Sequence, residues 1–234
     1  MERTDLLSVG TTCARRSGVV VAGPAFGFTK GDVRRLFQNR LPGADRGGGA
    51  GRGDHELNPG MVPIAEPRAA AVLVALVDRP EGFTIMLTRR TAHLSRHAGQ
   101  IAFPGGRVDE GDADAIATAL RETEEEIGLS RDYVEPVGRL DRYVTRTGFT
   151  VTPIVALTMP GFTLTLDANE VDEAFEVPLS FILDPANRQR DSFEFQGIAR
   201  HFYVFQYGER RIWGATAGML VNLAEIFNGE TFNR

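Results

Sequence analysis

The chain has 234 residues, is 42% hydrophobic and carries a formal net charge of −5. That is enough apolar material for one core of ordinary size, and too acidic a balance for a general nucleic-acid binder, which would be rich in Lys and Arg. One cysteine, Cys13, excludes an intramolecular disulfide framework. With no apolar run of membrane-spanning length, and Val19-Val20-Val21-Ala22 too short for a signal-peptide core, the expected location is cytoplasmic.

In chain order, residues 1–28 are small and polar and read as a mobile arm. Thr29 is placed to cap a short helix carrying Val33, Leu36 and Phe37. Residues 43–60 are glycine-rich and linker-like, so residues 1–62 are expected to form a flexible N-terminal arm and residues 63–234 the compact domain. Ala69 to Val77 is a continuous apolar run, expected as a buried strand, with Phe83 to Thr88 its hairpin partner across Arg79-Pro80-Glu81-Gly82. Residues 89–106 read as a long binding loop. A helix follows, capped by Asp112 or Asp114, with Ala115, Ile116, Ala119, Leu120, Thr123 and Ile127 facing inward. Leu140 to Val144 and Phe149 to Leu157 are expected strands around an Arg146-Thr147-Gly148 turn. A short helix is expected at Pro178 to Leu183, strands at Phe193 to Phe195 and Phe202 to Tyr207, and a closing amphipathic helix from Ala215 to Phe227.

The helix after the glycine pair contains Arg121-Glu122-Thr123-Glu124-Glu125-Glu126. Glu122, Glu125 and Glu126 fall at i, i+3 and i+4, on one face. Clustered carboxylates repel one another unless a cation sits among them, and hard oxygen donors suit Mg²⁺ or Mn²⁺. The plainer alternative is a solvated acidic face. Arg121 can reach Glu125 at i+4, Gly128 can end the helix, and Gly105-Gly106 permits close approach of an anion. Arg89, Arg90, Arg96, His97 and Arg107 cluster in sequence where a polyanionic ligand would sit.

Arg121-Glu122, Glu125-Glu126 and Gly128-Leu129 resemble the second half of the Nudix box. The first half departs from it: the usual glycine and first glutamate positions hold Arg107 and Ala113, with Gly106 and Asp112 one residue early. That spacing weakens any role for the first acidic residue and leaves the helix carboxylates intact. Met86-Leu87-Thr88-Arg89-Arg90, Leu94 to Gln100 and Phe103-Pro104-Gly105-Gly106 further resemble the signature of the coenzyme A pyrophosphatase branch, with Ser95 where an Arg is expected and Arg96 beside it. The resemblance spans roughly residues 68–227.

The resemblance implies an α/β fold, a Nudix-type α/β/α sandwich with a mixed, partly antiparallel sheet. It implies a divalent-metal-dependent pyrophosphohydrolase acting on coenzyme A or its derivatives, with ADP-ribose, NADH or a dinucleotide as the alternative substrate class and a noncatalytic nucleotide sensor as a further alternative. The metal ligands would be Glu122, Glu125 and Glu126, with Mg²⁺ or Mn²⁺ bound. Arg121 would orient them, its alternative being a surface ion pair. Glu125, Glu126, or a loop acid, Glu170 or Glu173, would serve as base. Arg90, Arg96, Gln100, Gly105 and Gly106 would contact the substrate, His93 and His97 either phosphate or solvent, and Phe103 the core. The expected partner is a small nucleotide, with no nucleic acid and no membrane; a homodimer is compatible with the sequence.

Overall fold

The computed structural model describes residues 27–40, 51–61, 66–92, 98–195 and 197–229. The expectations for Cys13, for residues 1–26 and for the glycine run 43–50 lie outside the described residues. The elements are α1 (Lys30–Phe37), β1 (Arg52–Gly53), β2 (Arg68–Arg79), β3 (Gly82–Arg90), β4 (Ile101–Ala102), β5 (Gly105–Arg107), α2 (Ala115–Ile127), β6 (Val134–Arg139), β7 (Tyr143–Val144), β8 (Phe149–Thr158), β9 (Val171–Pro178), α3 (Leu179–Leu183), β10 (Arg188–Phe195), β11 (Ile198–Tyr207), β12 (Arg210–Trp213) and α4 (Ala215–Phe227).

The apolar run of β2 is unbroken because both its faces are covered. Ala71, Leu73, Ala75 and Val77 pack towards α2 with Ala119 and Ile127. Ala70, Val74 and Leu76 pack the other way, with Leu220, Leu223 and Phe227 of α4. This is strand alternation between two apolar layers. β2 pairs in parallel with β8 from Arg68↔Phe149 to Val77↔Thr158, and antiparallel with β3 across the Arg79↔Gly82 turn. The main sheet runs β1-β7-β8-β2-β3-β4, with β5 on β2, β6 on β8 and β9 on β3. It is mixed and held between α2 on one side and α1, α3 and α4 on the other, the α/β/α sandwich expected. An antiparallel β10-β11-β12 sheet joins the α4 side through Phe205 and Ile212.

Several expectations need correction. Residues 52–58 are not a linker. Arg52 is buried and ion-paired with Glu225 of α4 and with Glu56 (3.0 Å), and Asn58 bonds the backbone of His201. The helix after Thr29 forms with a capping box to Asp32, and its Val33 and Phe37 are fully buried against the domain, where Gly138 lets Phe37 approach β6. Helix α4 is buried almost all round rather than amphipathic. Its polar exceptions are paired: Glu225 with Arg52, and Asn222 with the backbone N–H and carboxylate of Asp141. The loop read at 89–106 is partly strand, β3 running on to Arg90 and β4 and β5 joining the sheet. Glu173, expected in a loop, stands in strand β9. No helix among the described residues is long and apolar enough to cross a membrane.

Candidate active site

Helix α2 has both ends fixed. Asp114 accepts from the Ala117 N–H at 2.9 Å, and Gly128 closes the helix with φ +68°. Of the two capping candidates, Asp114 is the one used. Pairing of β5 with β2 (Val72↔Gly105, Ala71↔Gly106, Ala70↔Arg107) lays the glycine pair beside the helix. Glu122 and Glu126, one turn apart, point at it. The buried Glu126 accepts from the Gly105 N–H at 3.1 Å. A Cβ on Gly106 would overlap the Glu122 carboxyl, and a Cβ on Gly105 would overlap the Ala71 carbonyl. The anion that needs the glycines here is thus, first of all, the protein's own pair of carboxylates.

Arg121 organises the rest. Its Nε and Nη2 donate to the two Asp112 oxygens (3.0 and 2.9 Å), Nη1 to Glu122 (3.1 Å) and Glu125 (3.0 Å), and Nη2 to the Arg107 carbonyl (3.2 Å). Asp112 therefore has a role after all. The extra loop residue is absorbed in a turn in which the Asp112 N–H donates to the Asp109 carbonyl and the Asp109 N–H to the Asp112 carboxylate, both at 3.0 Å. Hydrogen bonds from Arg121 and from the Asp109 backbone hold the Asp112 carboxyl far below the usual carboxylate range.

The helix carboxylates behave oppositely. Burial pushes Glu126 up to about 7, opposed by the Gly105 N–H and Arg90 and reinforced by Glu170 and Glu122. Burial also raises Glu122, against hydrogen bonding from Arg121, with Glu125 and Glu170 adding repulsion. Arg90 lies between Glu126 (3.4 Å) and Glu170 (3.7 Å). Among the described residues no three His, Cys, Asp or Glu side chains close into a ready-made ion cage. The donor set nonetheless suits a hard divalent cation: all oxygen, two of its members desolvated and raised above the ordinary carboxylate range, and the Glu125 side chain 61% exposed.

A groove of about 870 Å³ opens from this point. Arg90, Gln100, Gly105, Gly106 and Phe103 line it, and so do Arg68, Arg107, Phe149, Arg200 and Trp213. Phe103 is also buried in the core, as expected. Glu170, at the head of β9, stays at the carboxylate cluster; Glu173 does not, because it is in β9 and pairs with Arg210 and Arg89. Arg89 is likewise tied to Asp172 and Glu173 rather than offered to a ligand. His93, Arg96 and His97 lie outside the described residues. Arg68, Arg200, Phe149 and Trp213 were not singled out as groove residues from sequence. Only the parallel register of β2 on β8 and the placing of the small sheet bring them together.

The NUDIX domain family matches residues 67–196. An uncharacterized Nudix hydrolase, NudL, of Photorhabdus laumondii is 42% identical over 158 residues, covering 68% of this chain and 84% of the relative. NudL of Escherichia coli K12 is 40% identical over 157 residues, covering 67% and 81%. The Nudix hydrolase RenU of M. smegmatis is a distant structural likeness, at TM-score 0.47 and 17% identity over 73% of this chain and 92% of that one. With an Arg121-bound carboxylate helix over a double glycine, and with that family match and the two NudL relatives, the chain belongs to the Nudix hydrolase family.

Proposed function

We propose that the protein hydrolyses the phosphoanhydride of coenzyme A or its derivatives, releasing 3′,5′-ADP and 4′-phosphopantetheine, with Mg²⁺ or Mn²⁺ as the cation. The observation that carries this reading is an arginine- and aromatic-lined groove whose wall includes Arg90 and the Gly105-Gly106 pair, the glycines against which Glu126 and Glu122 pack. Its volume suits a nucleotide with a long substituent. The upstream signature from Met86 to Gly106 supports the same substrate.

Bound divalent cations supply neutralisation of the anhydride oxygens and make water easier to deprotonate. Glu122, Glu125 and Glu126 would hold them. Arg121 acts as the orienting group, since one guanidinium fixes Glu122 and Glu125 against Asp112. Glu170 takes the proton from the attacking water. A new P–O bond forms, the anhydride P–O bond breaks, and the leaving phosphate keeps the electron pair. Arg90 and Gln100 contact the substrate phosphates, Arg90 by exchanging carboxylate oxygens for phosphate oxygens. Arg96 is assigned to the same task on sequence grounds. Every side chain named belongs to one chain, so the reading holds equally for a monomer and a homodimer.

The test is product analysis with Mg²⁺ and with Mn²⁺, offering coenzyme A, ADP-ribose, NADH and diadenosine polyphosphates side by side. Preferential release of 3′,5′-ADP from coenzyme A is the expected result. Preferential turnover of another diphosphate would keep the chemistry and replace the substrate. No turnover of any of them with either metal would point to a noncatalytic nucleotide binder.

A further inference from the structure

Guanidinium groups in this protein are mostly spoken for. Arg79 pairs with Glu176, Arg90 with Glu126 and Glu170, Arg210 with Glu173, and Arg121 with Asp109, Asp112, Glu122 and Glu125. Arg68, Arg107 and Arg200 differ. None has a carboxylate partner among the described residues, and all line one groove. They arrive from three strands, β2, β5 and β11. Arg68 lies over the Phe149 ring at 4.4 Å and Arg107 over the same ring at 5.6 Å, so the two like charges are neighbours on one aromatic platform. Arg200 comes from the small sheet, paired across from Phe193, another groove residue. Its Nε is buried without an acceptor. A desolvated donor with nothing to bond is costly in a native protein, and the like charges of Arg68 and Arg107 over one ring add to the cost. An anion in the groove would remove both penalties. Guanidinium forks suit phosphate, and the aromatic platform keeps two of them extended towards the ligand.

We propose that Arg68, Arg107 and Arg200 form a second phosphate subsite, separate from the one for the anhydride. It takes a phosphomonoester on the ribose of the substrate's nucleotide half and selects for substrates that carry it. This rests on the proposed reading of the groove as a coenzyme A site, whose nucleotide product has a 3′-phosphate besides the 5′-phosphate at the scissile bond. Arg200 lies beyond the residues that match the NUDIX domain family, 67–196. The subsite therefore reaches beyond the part of the chain that matches the family.

The test compares coenzyme A with 3′-dephospho-coenzyme A as substrates, and 3′,5′-ADP with 5′-AMP as ligands, for the wild type and for Arg68→Gln, Arg107→Gln and Arg200→Gln. Arg68 and Arg107 are exposed, so their variants keep the fold, which a thermal midpoint verifies. The expected result is a KM for coenzyme A raised by at least ~10-fold in each variant, with kcat and the dephospho-substrate changed less than about twofold. Equal losses for both substrates, or none for either, would overturn the subsite. If the wild type turns over neither compound, the substrate reading fails by itself. The subsite then stands or falls on binding: it stands if the wild type holds 3′,5′-ADP more tightly than 5′-AMP and Arg68→Gln abolishes the difference, and falls if the two bind alike.

Discussion

The two ends of the groove use arginine in opposite ways. At the carboxylate end, Arg121 is saturated by protein acids and fixes the helix carboxylates, while Arg90 sits between Glu126 and Glu170. On the groove wall, Arg68 and Arg107 lie over the Phe149 ring with no acid partner among the described residues. A guanidinium already bonded on several sides positions its neighbours, whereas one held extended without a partner is available to a ligand. Changes at the first end should lower kcat, and changes at the second should act on KM for selected substrates.

The largest effect is expected at Glu126. Glu126→Gln keeps an oxygen for the Gly105 N–H and removes the charge, so turnover should fall by about 10³-fold or more while the fold persists. Steady-state kinetics with circular dichroism checks this, and near-normal turnover would break the assignment. Arg121→Ala should lower kcat by ~10–100-fold and, by taking both guanidinium donors from the Asp112 carboxylate, lower the midpoint of denaturant unfolding. Arg121→Lys should rescue only part of this, since an ammonium cannot serve both Asp112 oxygens and the helix carboxylates in one plane. Gly106→Ala forces the Glu122 carboxyl aside and should weaken the apparent Mg²⁺ requirement-curve affinity more than it alters the KM for coenzyme A. Phe37→Ala lies away from both ends and should cost ~3–5 kcal/mol of stability, leaving kcat/KM unchanged in the folded fraction; an unaltered unfolding midpoint would restore the picture of a loose arm.

The smallest effect concerns acid stability. Burial pushes the Glu176 carboxyl up, and hydrogen bonds from Arg79 and Thr84 more than offset it, leaving it below its ordinary value. A depressed carboxyl contributes stability that is present above the unfolded-state pKa and lost as pH falls through the folded one. Arg79→Gln should therefore lower stability at neutral pH, raise the midpoint of acid unfolding, and cost progressively less as pH falls through the folded-state pKa of Glu176. An acid midpoint identical to wild type would remove Glu176 from the list of groups that set acid stability.

Much of the core and one end of the site were legible in the sequence, for identifiable reasons. β2 and β8 show as apolar runs because both faces are buried, and α2 carries its own punctuation at Asp114 and Gly128. Strand β9 was missed because Asp172, Glu173 and Glu176 break any apolar pattern; their partners Arg79, Arg89 and Arg210 are distant in sequence. The contact of Asp112 with Arg121 was not legible, because spacing alone cannot show that a turn returns its carboxylate to that side chain. Arg52 sits in a glycine-rich stretch, and its burial depends on a glutamate on the last helix. The far wall of the groove depends on the β2–β8 register and on a second sheet, neither of which local pattern encodes.

The most direct measurement is thermal unfolding of the wild type and Glu126→Gln, each with and without millimolar Mg²⁺. A ligand that binds only the native state raises its apparent stability. The wild type should gain ~2–4 °C on adding Mg²⁺. Glu126→Gln should start at least as stable, because a buried charge has been removed, and should gain little. An equal gain in both proteins, or none in the wild type, would contradict the assignment of Glu122, Glu125 and Glu126 as the cation site.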